Sequence, residues 1–213
     1  MNQVEQLIAK DLLKIKAVFF RPNEPFTWAS GIKSPVYTDN RLTLTSVKVR
    51  NDIETNLAKL IKKNYPTVQV IVGTATAGIP HAAIVGHIMK LPMGYVRSGA
   101  KDHGRKNQIE GKIPAGTRVV VVEDLISTGG SSLEIVKVLR ENKIKVLGMV
   151  SIFTYGMKKS VTALKEAKVK NVSLTNFDVI TKVAAKEKYI KEKDIKRLIM
   201  FRNNPSDESW IKR

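Results

Sequence analysis

Residues 119–131 read Val-Val-Val-Val-Glu-Asp-Leu-Ile-Ser-Thr-Gly-Gly-Ser, and no other stretch of the chain constrains the fold so tightly. Four consecutive valines without alternation fit a strand covered on both faces, which is the environment of a parallel sheet. Two acids, Glu123 and Asp124, stand at its carboxyl end. Leu125, Ile126 and a small-residue turn, Ser127, Thr128, Gly129, Gly130 and Ser131, then lead into a helical pattern over 131–141. Ligands of parallel sheets sit outside the carboxyl ends of strands, and a turn of this composition ahead of a helix aims N–H groups at an anion. The segment therefore predicts a phosphate site. Neither a G-x-x-x-x-G-K-[ST] loop nor a G-x-G-x-x-G fingerprint occurs, so the held group is neither an NTP on a Walker loop nor a dinucleotide.

The rest of the chain supplies the layers such a strand needs. Val4, Leu7, Ile8, Leu12 and Ile15 recur at helical spacing, and a second helix is expected over 46–63. Short apolar runs at 68–72, 93–96, 118–122 and 146–153 predict strands, separated by helices over 82–89, 131–141 and 159–168. A last helix is expected over 191–201. Strand and helix alternate through the middle, which predicts an α/β fold with a central, mostly parallel sheet and helices on both faces. The segment 19–41, with three prolines and Gly31, breaks the pattern and reads as irregular or hairpin. Without a repeat or a linker-like tract, 1–213 is expected to form a single domain.

Charge and cysteine content narrow the function classes. Lys and Arg number 37 against 19 Asp and Glu, a net +18 that attracts phosphates, nucleic acid or an acidic membrane surface. The lysines are spread along the sequence and aromatic residues make up only 6%, so stacking platforms are scarce. A solvated basic surface is favoured over a nucleic-acid face, and neither specific nucleic acid nor membrane is expected as a partner. With no cysteine and no run near the roughly 20 apolar residues of a membrane span, the cytoplasm is the expected compartment.

Three further constellations bear on chemistry. Arg97, Lys101 and His103 fall within seven residues beside glycines; alone this reads as a solvated surface loop, but with a phosphate turn some twenty residues downstream it suits a cationic loop closing over a pyrophosphate leaving group. Thr74 and Ala75 open a Gly-bounded turn between a strand and a helix, able to present backbone N–H groups to an anion or simply to connect them. Glu123 and Asp124 can accept hydrogen bonds from two neighbouring hydroxyls, as a ribose diol offers; alternatively one acid pairs with a lysine while the other caps the turn. His81 and His87, six apart, fall on different sides of a helix and read as structural.

The 119–131 segment resembles the phosphoribosyl pyrophosphate (PRPP) motif of type I phosphoribosyltransferases at all thirteen positions. Tyr95 to Gly104 resembles the catalytic loop of the orotate phosphoribosyltransferase family, and Ser30-Gly-Ile-Lys-Ser-Pro35 its N-terminal hood. With the tail Asn204-Pro-Ser-Asp-Glu-Ser-Trp-Ile211, the resemblance spans nearly the whole chain. It implies a type I phosphoribosyltransferase fold, with about 1–41 contributing the hood, and transfer of phosphoribose from PRPP to N1 of orotate. Mg²⁺ would be carried mainly by PRPP, with no dedicated protein metal site. By the same resemblance Lys101, His103 and Asp124 are catalytic. Arg97, Lys101, His103, Glu123, Asp124, the 125–131 turn, Thr74 and Ala75 bind PRPP, and Lys33 and Ser127 bind orotate. A homodimer with shared active sites is also implied. Some members carry a lysine where this chain has Ala77 or Ser98, and an orotate-contacting arginine after the strand that here ends near Tyr155. Rival readings are a transferase for another base and a nucleic-acid-binding regulator on the same fold.

Overall fold

The computed structural model describes residues 1–28, 31–97 and 108–211. In chain order the elements begin with α1 (Gln3–Lys14), β1 (Val18–Phe20), β2 (Phe26–Thr27), β3 (Lys33–Ser34) and β4 (Val36–Thr38). A 3-10 turn (Asn40–Thr45), α2 (Val47–Asn64), β5 (Val70–Thr74), α3 (Gly78–Met89), β6 (Met93–Val96) and β7 (Ile109–Glu110) follow. The second half runs β8 (Arg118–Ile126), α4 (Gly130–Glu141), β9 (Lys145–Thr154), α5 (Lys158–Glu166), β10 (Asn171–Asn176), α6 (Phe177–Lys186), α7 (Asp194–Asn203) and a 3-10 turn (Glu208–Trp210).

Six strands form one sheet in the order β10-β9-β8-β5-β6-β7, parallel except for the β6–β7 pair at one edge. The valine run lies near the middle, and its period of two splits it between the faces. Val120 and Val122 join a core with Ile8, Leu12, Ile53 and Leu57 from α1 and α2, whereas Val119 and Val121 pack with Ile135, Val136 and Leu139 from α4. All four are fully buried. Each contributes about 1.5–3 kcal/mol of burial energy.

Residues 19–41 form two short antiparallel ladders, β1 with β4 and β2 with β3, the second nested within the first. At the opposite edge of the sheet, Tyr95 and Val96 pair with Glu110 and Ile109. Arg97 and Gln108 continue that pairing: the Arg97 N–H donates to the Gln108 carbonyl at 3.0 Å, and the Gln108 side chain returns a bond to the Arg97 carbonyl at 3.2 Å.

Several boundaries correct the sequence reading. β8 extends four residues beyond the valines, so Glu123 and Asp124 lie inside the strand rather than after it. α3 begins at Gly78 rather than near Ala82, because this glycine lets the helix settle directly on the strands. A Cβ there would collide with the Thr74 side chain and the Val122 carbonyl. β10 and α6 were not foreseen at all. His81 is structural as expected: it is fully buried, with Nδ1 2.5 Å from Oε1 of the equally buried Glu54. No helix among the described residues is long and apolar enough to cross a membrane.

Candidate active site

The carboxyl ends of β5 and β8 open onto a cleft of about 370 Å³ walled by Thr74, Ala75, Thr76, Arg97, Glu123, Asp124, Leu125, Ser127 and Ser131. A second cleft of about 320 Å³ lies on the 19–41 side, walled by Thr38, Asp39, Asn40 and Arg41. Thr76, Ala77 and Asp124 line both. Asp124 thus stands at the junction of the two spaces, and the sequence had singled it out.

The two acids do different work. Glu123 is buried and its carboxylate accepts from Thr74 Oγ1 at 2.8 Å, Ser132 Oγ at 2.7 Å and the Asp124 N–H at 3.0 Å. It ties the β5 turn and the first turn of α4 to β8, a role the expected ribose contact did not include. Asp124 is half-buried, and its backbone carbonyl accepts from Asn40 Nδ2 at 2.7 Å. Burial first, and the neighbouring Glu123 second, push the Asp124 carboxyl up to about 8. The carboxyl is thus held toward its neutral form, and positive charge brought near it would favour ionisation.

The turn after β8 is built as an anion would need it. Gly129 adopts φ +82°, a left-handed conformation that costs a glycine nothing, and caps α4 without a side-chain hydrogen bond. The helix N-terminus behind Ser127 is therefore not capped by a protein oxygen at that position. Ile126 is buried, and its carbonyl accepts from Tyr155 N at 2.9 Å, anchoring the turn to β9.

The β5 turn is less open than its sequence implied. The Ala75 N–H donates to the Val96 carbonyl at 3.1 Å, and the Thr74 hydroxyl is given to Glu123, so both residues line the cleft with those donors already engaged. The Ala75–Thr76 peptide is cis. Arg97 reaches the cleft, with its guanidinium 3.7 Å from Glu110. Lys33 lies on β3, outside the walls of both clefts, with Nζ donating to Thr27 Oγ1 at 2.7 Å. Lys101, His103 and Ser30 fall outside the described residues.

Tyr155, which follows β9 in the region where the family resemblance placed an arginine in some members, cannot offer a carboxylate a charge. It is buried, its hydroxyl is 3.0 Å from Thr38 Oγ1, and burial pushes the phenol up to about 12. Sequence reasoning missed Asn40, Thr76 and Gln108 as wall residues. Asn40 lies within the irregular 19–41 segment, but nothing in its spacing announces a contact 84 residues away.

The comparisons agree with this geometry. Residues 45–191 match the phosphoribosyl transferase domain. The chain is 52% identical over 213 residues to the orotate phosphoribosyltransferase of Bacillus subtilis (strain 168), covering 100% of this chain and 99% of the relative. The chain belongs to the orotate phosphoribosyltransferase family. Another member, from Bacillus cereus (strain G9842), is 56% identical over 204 residues, 96% of this chain and 97% of its own. The solved orotate phosphoribosyltransferase of Aeropyrum pernix is 31% identical with a TM-score of 0.74, covering 86% of this chain and 99% of that one. Family membership fits the features found from the residues upward: a sheet-end cleft, an acid at its centre, and a glycine-capped turn beside it.

Proposed function

We propose that the chain transfers the phosphoribosyl group of PRPP to N1 of orotate, giving orotidine 5′-monophosphate and pyrophosphate in pyrimidine biosynthesis. The observation that carries the mechanism is Asp124 at the junction of the two clefts, beside the Ser127–Ser131 turn. The turn holds the 5′-phosphate through the α4 N-terminus. Asp124 and the frame built on Glu123 hold the ribose. As N1 attacks C1′, the C1′–O bond to pyrophosphate breaks, leaving positive charge on the ribose ring and negative charge on the departing oxygen. Asp124, ionised in the loaded site, stabilises the first, while Arg97, Lys101 and His103 stabilise the second. Ser127 and Lys33 orient orotate. No covalent intermediate with the protein is required.

Asp124 offers hard oxygen donors at the cleft, while the Glu123 carboxylate is held by Thr74, Ser132 and the Asp124 N–H. This donor set fits an Mg²⁺ that arrives on PRPP oxygens, where it would neutralise diphosphate charge. Consumption of orotate is therefore expected only with both PRPP and a divalent cation present. Turnover of adenine, guanine or uracil equal to or above that of orotate would sink the base assignment.

The active unit is read as a homodimer in which the 97–111 segment of one subunit serves the PRPP site of the other. Mixing Lys101→Ala with Asp124→Asn, each nearly inactive alone, should place both defects in one site of a mixed dimer and neither in the other. Activity is expected to return toward about half of the wild-type value per heterodimer if the sites are independent. Heterodimers confirmed by differential tags that stay as inactive as their parents would show that the segment serves its own chain.

A further inference from the structure

The tail motif 204–211 touches neither cleft, yet the structure gives it a partner. α7 presents Arg197 and Phe201 four residues apart, hence on one face, and both are buried. Arg197 Nε donates to the Trp210 carbonyl at 2.9 Å, and Nη2 lies 3.3 Å from the Ile211 carbonyl. Its other bonds cross to the N-terminal segment: Nη2 to the Pro22 carbonyl at 2.5 Å and Nη1 to Asn23 Oδ1 at 2.8 Å. Asp194 holds the guanidinium from behind at 3.1 Å. Phe201 meets Trp28 edge-on at 5.8 Å and Trp210 at 5.8 Å. Trp210 is fully buried.

Pro22 and Asn23 precede β2, and Trp28 follows it. Within that hairpin Thr27 pairs with Lys33 in the ladder and accepts a hydrogen bond from its ammonium, while Trp28 N donates to the Ile32 carbonyl at 2.9 Å. The hairpin is therefore gripped at both ends of β2 by one face of α7. Nothing in the six-stranded sheet pairs with it.

We infer that the C-terminal segment, through Arg197, Phe201 and Trp210, is a positioning brace that sets the Lys33 hairpin for the base. Since the hairpin is taken as the base side of the site under the proposed function, the brace should govern orotate and leave PRPP alone. The PRPP side is held separately, by Glu123 and the sheet.

Asn23 is exposed and uses its carbonyl oxygen toward Arg197, so it can be altered without opening the core. Asn23→Ala is expected to raise KM for orotate about threefold, Arg197→Met about tenfold or more, with KM for PRPP changed by less than about twofold. Asn23→Asp, which keeps an acceptor for the guanidinium, should retain the wild-type orotate KM. Lys33→Ala, run alongside, reports on the base assignment itself. Should Asn23→Ala and Arg197→Met leave orotate KM unchanged, or raise both KM values in step, the brace is overturned. If Arg197→Met does not fold, the Asn23 pair decides alone. An unchanged orotate KM in Lys33→Ala would instead remove Lys33 from the base side, while a selective effect of Asn23→Ala would leave the brace standing.

Discussion

Asp124→Asn should raise the melting temperature of the ligand-free protein while removing most of its turnover. The carboxyl is pushed to about 8 by burial and by Glu123, whereas an unfolded aspartate titrates near 3.8. An acid whose folded value is raised contributes stability in full below its unfolded pKa and loses it as pH rises through the folded one. Between pH 4 and 8 the wild-type protein therefore loses stability that the asparagine variant keeps. The difference should be near zero at pH 4 and grow to ~1–3 kcal/mol by pH 8, allowing for partial exposure of the side chain. The backbone carbonyl that takes the Asn40 amide is untouched by the change. Turnover should fall by about 10²-fold or more, because the group facing the developing ribose cation can no longer ionise. In the wild-type enzyme kcat/KM for PRPP should climb with pH toward about 8, the region in which the free carboxyl ionises. Melting curves at four pH values would check the sign; a variant less stable than wild type across the range would refute the burial argument.

The adjacent residue should behave in the opposite way. Glu123→Ala leaves the Ser132 hydroxyl and the Asp124 N–H without their acceptor in a buried setting, and leaves the Thr74 hydroxyl with only the Val122 carbonyl at 3.3 Å. A loss of about 3–5 kcal/mol is expected, read as a lower urea midpoint. Glu123→Gln keeps the shape and one acceptor and should cost roughly 1–2 kcal/mol. PRPP binding should weaken in both, since Thr74 and Ser132 anchor the two turns that meet the substrate. On this reading the two neighbouring acids divide between them the stability of the frame and the proposed reactivity of the site. Equal stability of Glu123→Ala and wild type would show that the carboxylate does not hold the frame.

The valine strand was readable because burial on both faces suppresses alternation, and the glycine-capped turn because only small residues allow it. β10 was not, because its Asn171, Ser173, Thr175 and Asn176 look like loop residues. Part of their polarity is absorbed locally, as Ser173 Oγ lies 2.6 Å from Ser151 Oγ on the next strand and Asn171 Nδ2 donates to the Ser173 hydroxyl at 2.8 Å. The start of α6 did carry a signal, since Asn176 caps it by accepting from Val179 N at 3.0 Å with Asp178 in the first turn. At the site, residue types announced the glycine-capped turn and the acids that line the cleft. Which acid is occupied by the frame depends on Thr74 and Ser132, and Asn40 reaches Asp124 across the fold; no spacing along the chain encodes either contact.

The paired bonds between Arg97 and Gln108 make the chain leave the sheet and return to it at one place. Whatever lies between those two residues adds nothing to the distance the frame must span. Doubling its length would add only about 0.6 kcal/mol of closure entropy. Lys101 and His103, the proposed catalytic cations, fall between these two residues in the sequence, so the ladder that fixes where the chain leaves and rejoins the sheet is set without them. A change of length between Arg97 and Gln108 is thus expected to leave the described sheet as it is.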